Sequence, residues 1–500
     1  MSKPAAPQGM KPRVIRKLGH FERFQVSLQT MELYCGTILS CLYNIPENLR
    51  APADYGKLVE VVELAVADTL NQHPLLQVGI GGAGTRRPVW TQLDEIDLAN
   101  QIEWHVVGDP AKYDEMHKEL TIQQLDTKFD KIETQPGWRL AVIKLEYANV
   151  LEVMFIWDHT NSDGTGGKIF HQTLLQSLNS VARNTDRTPL ENHIYKTTAS
   201  KEYMVPSQEA VAKFRITPGY AAATVWKELK PPMFASKTAF VSWAPITLTP
   251  RTSQVRSMSI DNETLQKVLS ACRSNSTTLT AVLHGIVFMS LCGQLPADKV
   301  AAMSVETPID LRRYIKPDPA KNIVPHKLIG NYVTKLDHEF ERDWVQKIQK
   351  LAAGVSGQER FAALEQEMWS AAVFAKGEIH DKVALGLKND AVGLMGVVTD
   401  WNKYQRDELK KPRSGSWLVT NLGVIDGQPE PKEGGWSMER SKFTLSANVL
   451  SGMFVFSAVT VKGKDFFIDL SWQDHIIDAK IAEKLIADVE EWLKYIAGKV

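Results

Sequence analysis

The stretch Leu151–Leu178, LEVMFIWDHTNSDGTGGKIFHQTLLQSL, constrains this chain more than any other. It opens with an apolar run to Trp157 that is rich in β-branched and aromatic residues. A polar, glycine-bearing loop follows, Asp158–Gly167. Apolar residues then return at helical spacing: Ile169, Phe170, Leu174 and Leu178. The order is strand, loop, helix. Loops at strand ends, held by a rigid scaffold, are common places for chemistry. This one carries His159 and, four residues on, Asp163 followed by Gly164.

The H-x-x-x-D-G pattern has a direct chemical reading. A histidine at a strand end, largely neutral near pH 7, can take a proton from a hydroxyl. Asp163 can orient the ring directly, or hold the loop by pairing with a distant arginine. Gly164 frees the backbone for a sharp turn into the helix. The plain alternative is a loop histidine and an aspartate that caps the helix. A motif this short does not decide between them.

Its surroundings add to that reading. WDHTNSDGTGGKIFHQTLL resembles the active-site segment of the fungal alcohol O-acetyltransferase family. That family belongs with the BAHD acyltransferases, chloramphenicol acetyltransferase and nonribosomal-peptide condensation domains. RKLGHFERF near the N-terminus is similar to its opening segment. NQHPLLQVGI (Asn71–Ile80), PGWRLAV (Pro136–Val142), TPIDLRRY (Thr307–Tyr314), IGNYV (Ile329–Val333) and TNLG (Thr420–Gly423) follow in the family's order, so the resemblance covers most of the chain. The D-F-G-W-G segment of the BAHD branch is absent.

The resemblance implies an α/β fold of two chloramphenicol-acetyltransferase-like domains with mixed sheets and an active-site channel between them. A late segment, roughly Leu394–Gly435, would cross back to extend the first domain's sheet. It implies an O-acyltransferase moving acetyl from acetyl-CoA, a co-substrate rather than a bound cofactor, to a hydroxyl of an alcohol or secondary metabolite. His159 would accept the hydroxyl proton as the oxygen attacks the thioester. No G-x-S-x-G nucleophile elbow is present. Arg312 is the expected salt-bridge partner of Asp163, with Arg313 as the alternative. Asn331 and Tyr332 are expected along the acyl or coenzyme channel. Thr420 and Asn421 are the candidate donors to the oxyanion, against the plain reading of Asn421 as a turn former. Two other readings stay open: a condensation-type enzyme taking its acyl group from a carrier-protein thioester, and a non-catalytic binding module of the same fold. The joint presence of His159, Asp163 and Arg312 speaks against the second.

Length and charge set the remaining bounds. Five hundred residues exceed one ordinary core, so two domains are expected: a mobile tail over 1–17, an N-terminal domain over 18–205, a proline-punctuated crossover over 206–253 and a C-terminal domain over 254–500. Lys plus Arg and Asp plus Glu number 58 each, which argues against a nucleic-acid partner. No apolar run of about 18 residues suggests a membrane span, and no secretory signal is visible. Cys35, Cys41, Cys272 and Cys292 form no C-x-x-C and sit in apolar surroundings. They read as core thiols of a cytoplasmic protein, a monomer by default. GIGGAG (Gly79–Gly84) fits a dinucleotide-binding pattern formally, but Pro88 leaves no helix after it and a hairpin turn is expected. DGTGGK lacks the spacing of a phosphate loop, and nothing suggests a metal site. His171 reads as a packing or surface residue. Strands are expected over Leu33–Tyr43, Trp138–Tyr147, Val150–Trp157, Gln254–Ile260, Val300–Val305, Ser416–Leu422, Lys442–Asn448, Met453–Val461 and Phe466–Trp472. The principal helices are expected over Asp54–Gln72, Met116–Phe129, Leu279–Leu291, Trp344–Ala353, Glu359–Lys376 and Ala479–Ala497.

Overall fold

In the computed structural model, which describes residues 13–181, 190–229, 245–296, 300, 302–321, 323–413, 415–428 and 435–500, the two apolar runs around Ala148 and Asn149 form the expected hairpin, β7 (Trp138–Leu145) and β8 (Val150–Asp158). They sit inside a five-stranded mixed sheet. Its order is β14 (Ser437–Leu445), β2 (Gly36–Asn44), β8, β7, β6 (Ile102–Val107), with β6 parallel to β7 and the other pairs antiparallel. Every residue of β8 is buried, because strands flank it on both edges and helices cover both faces. On one face Phe155 and Trp157 pack with α2 (Tyr55–Gln72) and α5 (Gly164–Val181). On the other, Met154 and Ile156 pack with α4 (Tyr113–Asp126).

The second sheet is six-stranded and also mixed. Its order is β10 (Ser253–Ile260), β16 (Phe466–Gln473), β15 (Phe454–Val461), β13 (Gly415–Ile425), β11 (Met303–Asp310), β12 (Val333–Phe340). One face buries a core built with α8 (Asn262–Ser274), α9 (Leu279–Gln294), α10 (Arg342–Ala352), α11 (Gly357–Leu385) and α13 (Ala479–Ala497). Helix α9 is apolar nearly all round and lies in the middle of this core, as its sequence requires. Helix α13 turns Leu485, Val489, Trp492 and Ile496 inward.

Smaller elements complete the first half. Strands β1 (Val14–Lys17), β4 (Val89–Gln92) and β3 (Val78–Gly81) form one small sheet, and β5 (Glu95–Asp97) pairs with β9 (Ile194–Lys196). The glycine-rich Gly79–Gly84 is the β3–β4 hairpin, with Gly82 at a φ of 66°. Helix α1 (His20–Thr30) packs on α12 (Trp401–Glu408), with Phe24 and Trp401 edge to face at 5.2 Å. Short helices α3 (Leu98–Gln101) and α6 (Gln208–Val211) and the longer α7 (Pro218–Leu229) occupy connections.

Several expectations are corrected. Val14–Lys17, inside the stretch read as a tail, is a strand held by antiparallel pairing with β4; residues 1–12 lie outside the described residues. The strand that crosses back to the first sheet is β14, Ser437–Leu445, just after the expected range of 394–435. Residues 415–425 instead form β13 of the second sheet. Strand β11 runs through Pro308 rather than stopping before it. Its parallel ladder with β13 covers Ser304–Glu306, so the proline, which lacks an N–H, sits where that edge of the ladder has ended. Helix α11 extends nine residues past Lys376, to Leu385. Helix α7 was hidden in the crossover. None of Pro218–Trp226 is buried, so no core-facing stripe signals it, and it rests on alanine propensity and a proline at its first position. The end of the helix expected near Arg183, and Pro231 and Pro232 of the crossover, lie outside the described residues.

The crossing strand is fastened to the first half by a buried charge cluster. Glu152 on β8 is 1% exposed. It accepts hydrogen bonds from Ser40 (2.5 Å) and Tyr113, and meets His117 Nε2 at 3.1 Å and Arg440 Nη2 of β14 at 3.2 Å. Burial alone would raise its carboxyl; His117 and Arg440 outweigh that and hold it well below the ordinary value.

Glu152→Gln is expected to lower stability by about 3 kcal/mol at neutral pH, since Arg440 is left without its counter-charge. The folded-state carboxyl lies below its unfolded value, so the contribution is complete above about pH 4.3 and is lost as pH falls through the folded value. Denaturant unfolding of both proteins should therefore show the gap narrowing on acidification. A gap that stays constant into acid would assign the cluster to shape alone.

Candidate active site

Strand β8 ends at Asp158, and the chain folds back at once. The Asp158 amide donates to the Gly137 carbonyl (2.9 Å), its side-chain Oδ1 accepts from the Thr160 amide (2.8 Å), and its carbonyl accepts from the Asn161 amide (2.9 Å). Trp157 Nε1 donates to the Ser162 carbonyl across the same loop (2.8 Å). The turn leaves His159 half-buried at the end of the strand.

Asp163 begins the helix. Its Oδ1 accepts from the Gly166 amide at 2.8 Å, an N-terminal cap. The same carboxylate also binds Arg312. Arg312 Nη1 donates to Oδ2 (2.8 Å) and Nη2 to Oδ1 (3.0 Å), with 6% and 5% of the two side chains exposed. Arg312 Nε donates to the Leu328 carbonyl (3.0 Å), Nη1 also to Asp310 Oδ1 (3.1 Å) and Nη2 also to the Gly330 carbonyl (3.0 Å). All five guanidinium protons thus have acceptors. The Tyr332 amide donates to Asp163 Oδ2 (2.8 Å) and the Asp163 amide to the Gly330 carbonyl (3.2 Å). Capping and arginine pairing, alternatives in the sequence, are both present. Arg313 is exposed.

Two features hold the His159 ring. Asn331 Nδ2 donates to the main-chain carbonyl of His159 (2.6 Å) and lies 2.9 Å from ring Nδ1. The ring of Tyr34 lies against the imidazole, centroids 5.5 Å apart at 53°. Burial pushes the imidazole below its ordinary value of 6.5. The Asp163 carboxylate, and a hydrogen bond from the ring to its own carbonyl, partly offset that.

The other expected residues take different parts. Gly164 was read as freeing a sharp turn. Its φ is not in the left-handed region; a Cβ there would come within 2.6 Å of Leu422 Cδ2 and 2.9 Å of Phe443 Cζ. It is a close-approach glycine, letting the start of α5 lie against β13 and β14. Gly167 does the same against Trp157, at 2.6 Å from the ring. Asn331 holds His159 rather than simply lining a channel. Tyr332 is 1% exposed: its hydroxyl donates to the Pro206 carbonyl (2.7 Å) and its ring lies under the Arg312 guanidinium at 5.0 Å. Asn421 accepts from the Gly423 amide (2.8 Å) and donates to Thr280 Oγ1 (3.2 Å), beside a break in the β13–β15 register. That is turn-forming work. Thr420, half-buried, pairs opposite Ser457. His171 is fully buried, bonded to Tyr43 and the Leu39 carbonyl, and burial pushes it down to about 4. Tyr34 was not singled out from the sequence, because it lies 125 positions from His159 with no motif around it.

Further contacts tie α5 to the second half. Lys168 Nζ donates to the Leu422 carbonyl (3.2 Å) and Thr165 Oγ1 to Asp310 Oδ2 (3.2 Å). A cavity of about 400 Å³ opens between the end of α2, residues 198–205 and the segment leading to Asn331. Leu75, Tyr203, Lys327 and Ile329 are among its walls.

Residues 93–491 match the family model described as alcohol acetyltransferase. The probable alcohol acetyltransferase FCK4 of Fusarium pseudograminearum is 25% identical over 97% of this chain and 96% of its own length. Among solved structures, the TRI3 trichothecene 15-O-acetyltransferase of Fusarium sporotrichioides superposes with a TM-score of 0.67 at 14% identity, over 99% of this chain and 100% of that one. TRI101 of F. sporotrichioides, solved with coenzyme A and T-2, gives 0.55 at 14% identity, over 96% and 98%. These structures share the two-lobed fold.

Asp163→Asn should lower stability by about 3 kcal/mol, because it removes the buried, bidentate counter-charge of Arg312 and leaves only the more exposed Asp310. Thermal and denaturant unfolding check this. An unchanged midpoint would remove the ion pair from the fold's supports.

Proposed function

The chain belongs to the alcohol acetyltransferase family, and from that membership we propose that it moves acetyl from acetyl-CoA to a hydroxyl of a small alcohol or secondary metabolite, with His159 as general base. The observation that carries the reading is the half-buried imidazole at the end of β8, kept below its ordinary value and held by Asn331. A histidine in that state is neutral at physiological pH and ready to accept a proton.

The base role calls for one tautomer. With its proton on Nδ1, donated to the residue's own carbonyl, the ring keeps a lone pair on Nε2. Asn331 Nδ2 donates to that same carbonyl and fixes its place. The substrate hydroxyl gives its proton to Nε2 as its oxygen bonds to the thioester carbon. The tetrahedral intermediate then collapses, the carbon–sulfur bond breaks, and the CoA thiolate takes the proton back from Nε2. No acyl-enzyme forms. Asp163 acts at a distance: both its oxygens are committed to Arg312, and the pair shapes the loop that carries His159.

Coenzyme A in the TRI101 complex supports an acyl-CoA donor. The four cysteines are free and buried, which supports a reducing, cytoplasmic setting.

Purified protein incubated with acetyl-CoA and a panel of alcohols and hydroxylated metabolites should form ester and release CoA. His159→Ala should lose about 10²–10⁴-fold in turnover with the fold intact; near-wild-type rates would end the base assignment. Because the base must be neutral, activity should rise with pH through the His159 value and persist below about pH 6.5. An acid limb centred well above that would place the titrating group elsewhere. Ester formed from an acyl carrier protein but not from acetyl-CoA would move the donor to a carrier thioester.

A further inference from the structure

Resting on the general-base reading, we propose that Tyr34 is a positioning residue for His159, its ring face stabilising the imidazolium that forms when the base takes the substrate proton. A half-buried ring that gains a charge needs a compensating group, and the neighbours can be taken in turn. Asp163 is the nearest influential carboxylate, but its oxygens already receive Arg312, the Gly166 amide and the Tyr332 amide. Asp158 is buried, its Oδ1 receives the Thr160 amide, and burial lifts its carboxyl to about 6. Asn331 is a neutral amide whose Nδ2 donates to the His159 carbonyl, and it brings no counter-charge to the ring. Tyr34 also lies against the imidazole, and its ring centroid at 5.5 Å is within the ~6 Å reach of cation–π attraction.

Tyr34 is placed to do this and little else. It follows α1 in a small core with Leu28, Leu33 and Val449, and it is 6% exposed. Its hydroxyl is 2.7 Å from Thr37 Oγ1, and Thr37 sits on β2 opposite Trp157 of β8. The ring is therefore referenced to the strand that delivers His159. Burial holds the phenol far above its ordinary value, so Tyr34 stays neutral beside the base. With the hydroxyl engaged by Thr37, it is the ring itself, tilted 53° to the imidazole, that His159 meets.

The test replaces the ring's electrons without changing its shape. Phenylalanine and its mono-, di- and trifluorinated analogues are installed at position 34, with Tyr34→Leu as the non-aromatic limit. Tyr34→Phe should stay within a few-fold of wild type. kcat should then fall stepwise with fluorination, to about tenfold for the last analogue and for Tyr34→Leu, with KM for acetyl-CoA unchanged. The acid limb should move to lower pH by up to about one unit, because losing the ring face disfavours the charged form. NMR titration of the His159 ring, assigned by comparison with His159→Ala, reads the same shift without turnover. A flat fluorine series with an unmoved titration overturns the proposal, as does a Tyr34→Phe loss equal to that of Tyr34→Leu, which would assign the hydroxyl instead. A titration that follows the ring while no variant, wild type included, makes ester would keep the contact and fail the base reading.

Discussion

Arg312 spends all five of its protons within one buried site, and the rest of the active region depends on that. Two go to Asp163, one to Asp310, and two to the carbonyls of Leu328 and Gly330. A guanidinium this deep costs several kcal/mol to desolvate, and only complete pairing offsets it. The consequence is geometric more than energetic. One side chain from the second half fixes both the cap of α5 and the backbone on either side of Ile329. From that backbone Asn331 reaches His159. The base is thus positioned through a chain of hydrogen bonds, each link of which is a poor place for a water molecule to substitute.

The close approach that this requires is built by removing atoms. Gly164 lets the start of α5 lie against Leu422 and Phe443, and Gly167 lets the next turn lie on Trp157. A methyl group at either would force the helix away by a fraction of an ångström, which packed interiors do not absorb easily. Glycine in a motif of this kind is commonly read as backbone freedom. Here the φ of Gly164 is ordinary, and the missing side chain is the point.

What the chain discloses before it folds follows the range of the interaction. The β7–β8 hairpin, α9 and α13 are written in local apolar patterns, and they appear where those patterns end. The register shift in β13, the passage of β11 through Pro308 and the placement of β14 in the first sheet depend on pairing with other strands (Asn421 with Ala458, Pro308 with Lys335, Ser441 with Cys41), and no local period encodes them. Helix α7 shows a different limit: its described residues bury no face, so periodicity has nothing to report. In the site, the pairing of Asp163 with Arg312 was legible through the family resemblance of TPIDLRRY and the H-x-x-x-D-G loop; opposite charges alone would have left Arg313 equally eligible. Tyr34 was not, since a lone aromatic after a helix looks like core. Asn331 was seen, but its contact with the His159 carbonyl was not, because that depends on a main-chain atom of a loop whose path no sequence pattern specifies.

Glu152 and Asp163 make one argument together. Glu152 lies near the start of β8 and Asp163 just past its end. Each carboxylate belongs to the first half, and each meets an arginine of the second, Arg440 on β14 and Arg312 after β11. The strand that delivers His159 is therefore clamped at both ends by charges supplied from the other half. Separating the halves would strand two buried carboxylates as well as expose apolar surface, so the two must stay registered to keep either pair. Between these clamps the carboxylates are immobilised and unavailable to follow a proton. Asp163 favours a transient charge on His159 from where it is fixed, and the Tyr34 ring, equally fixed, is placed to add a polarisable surface next to it.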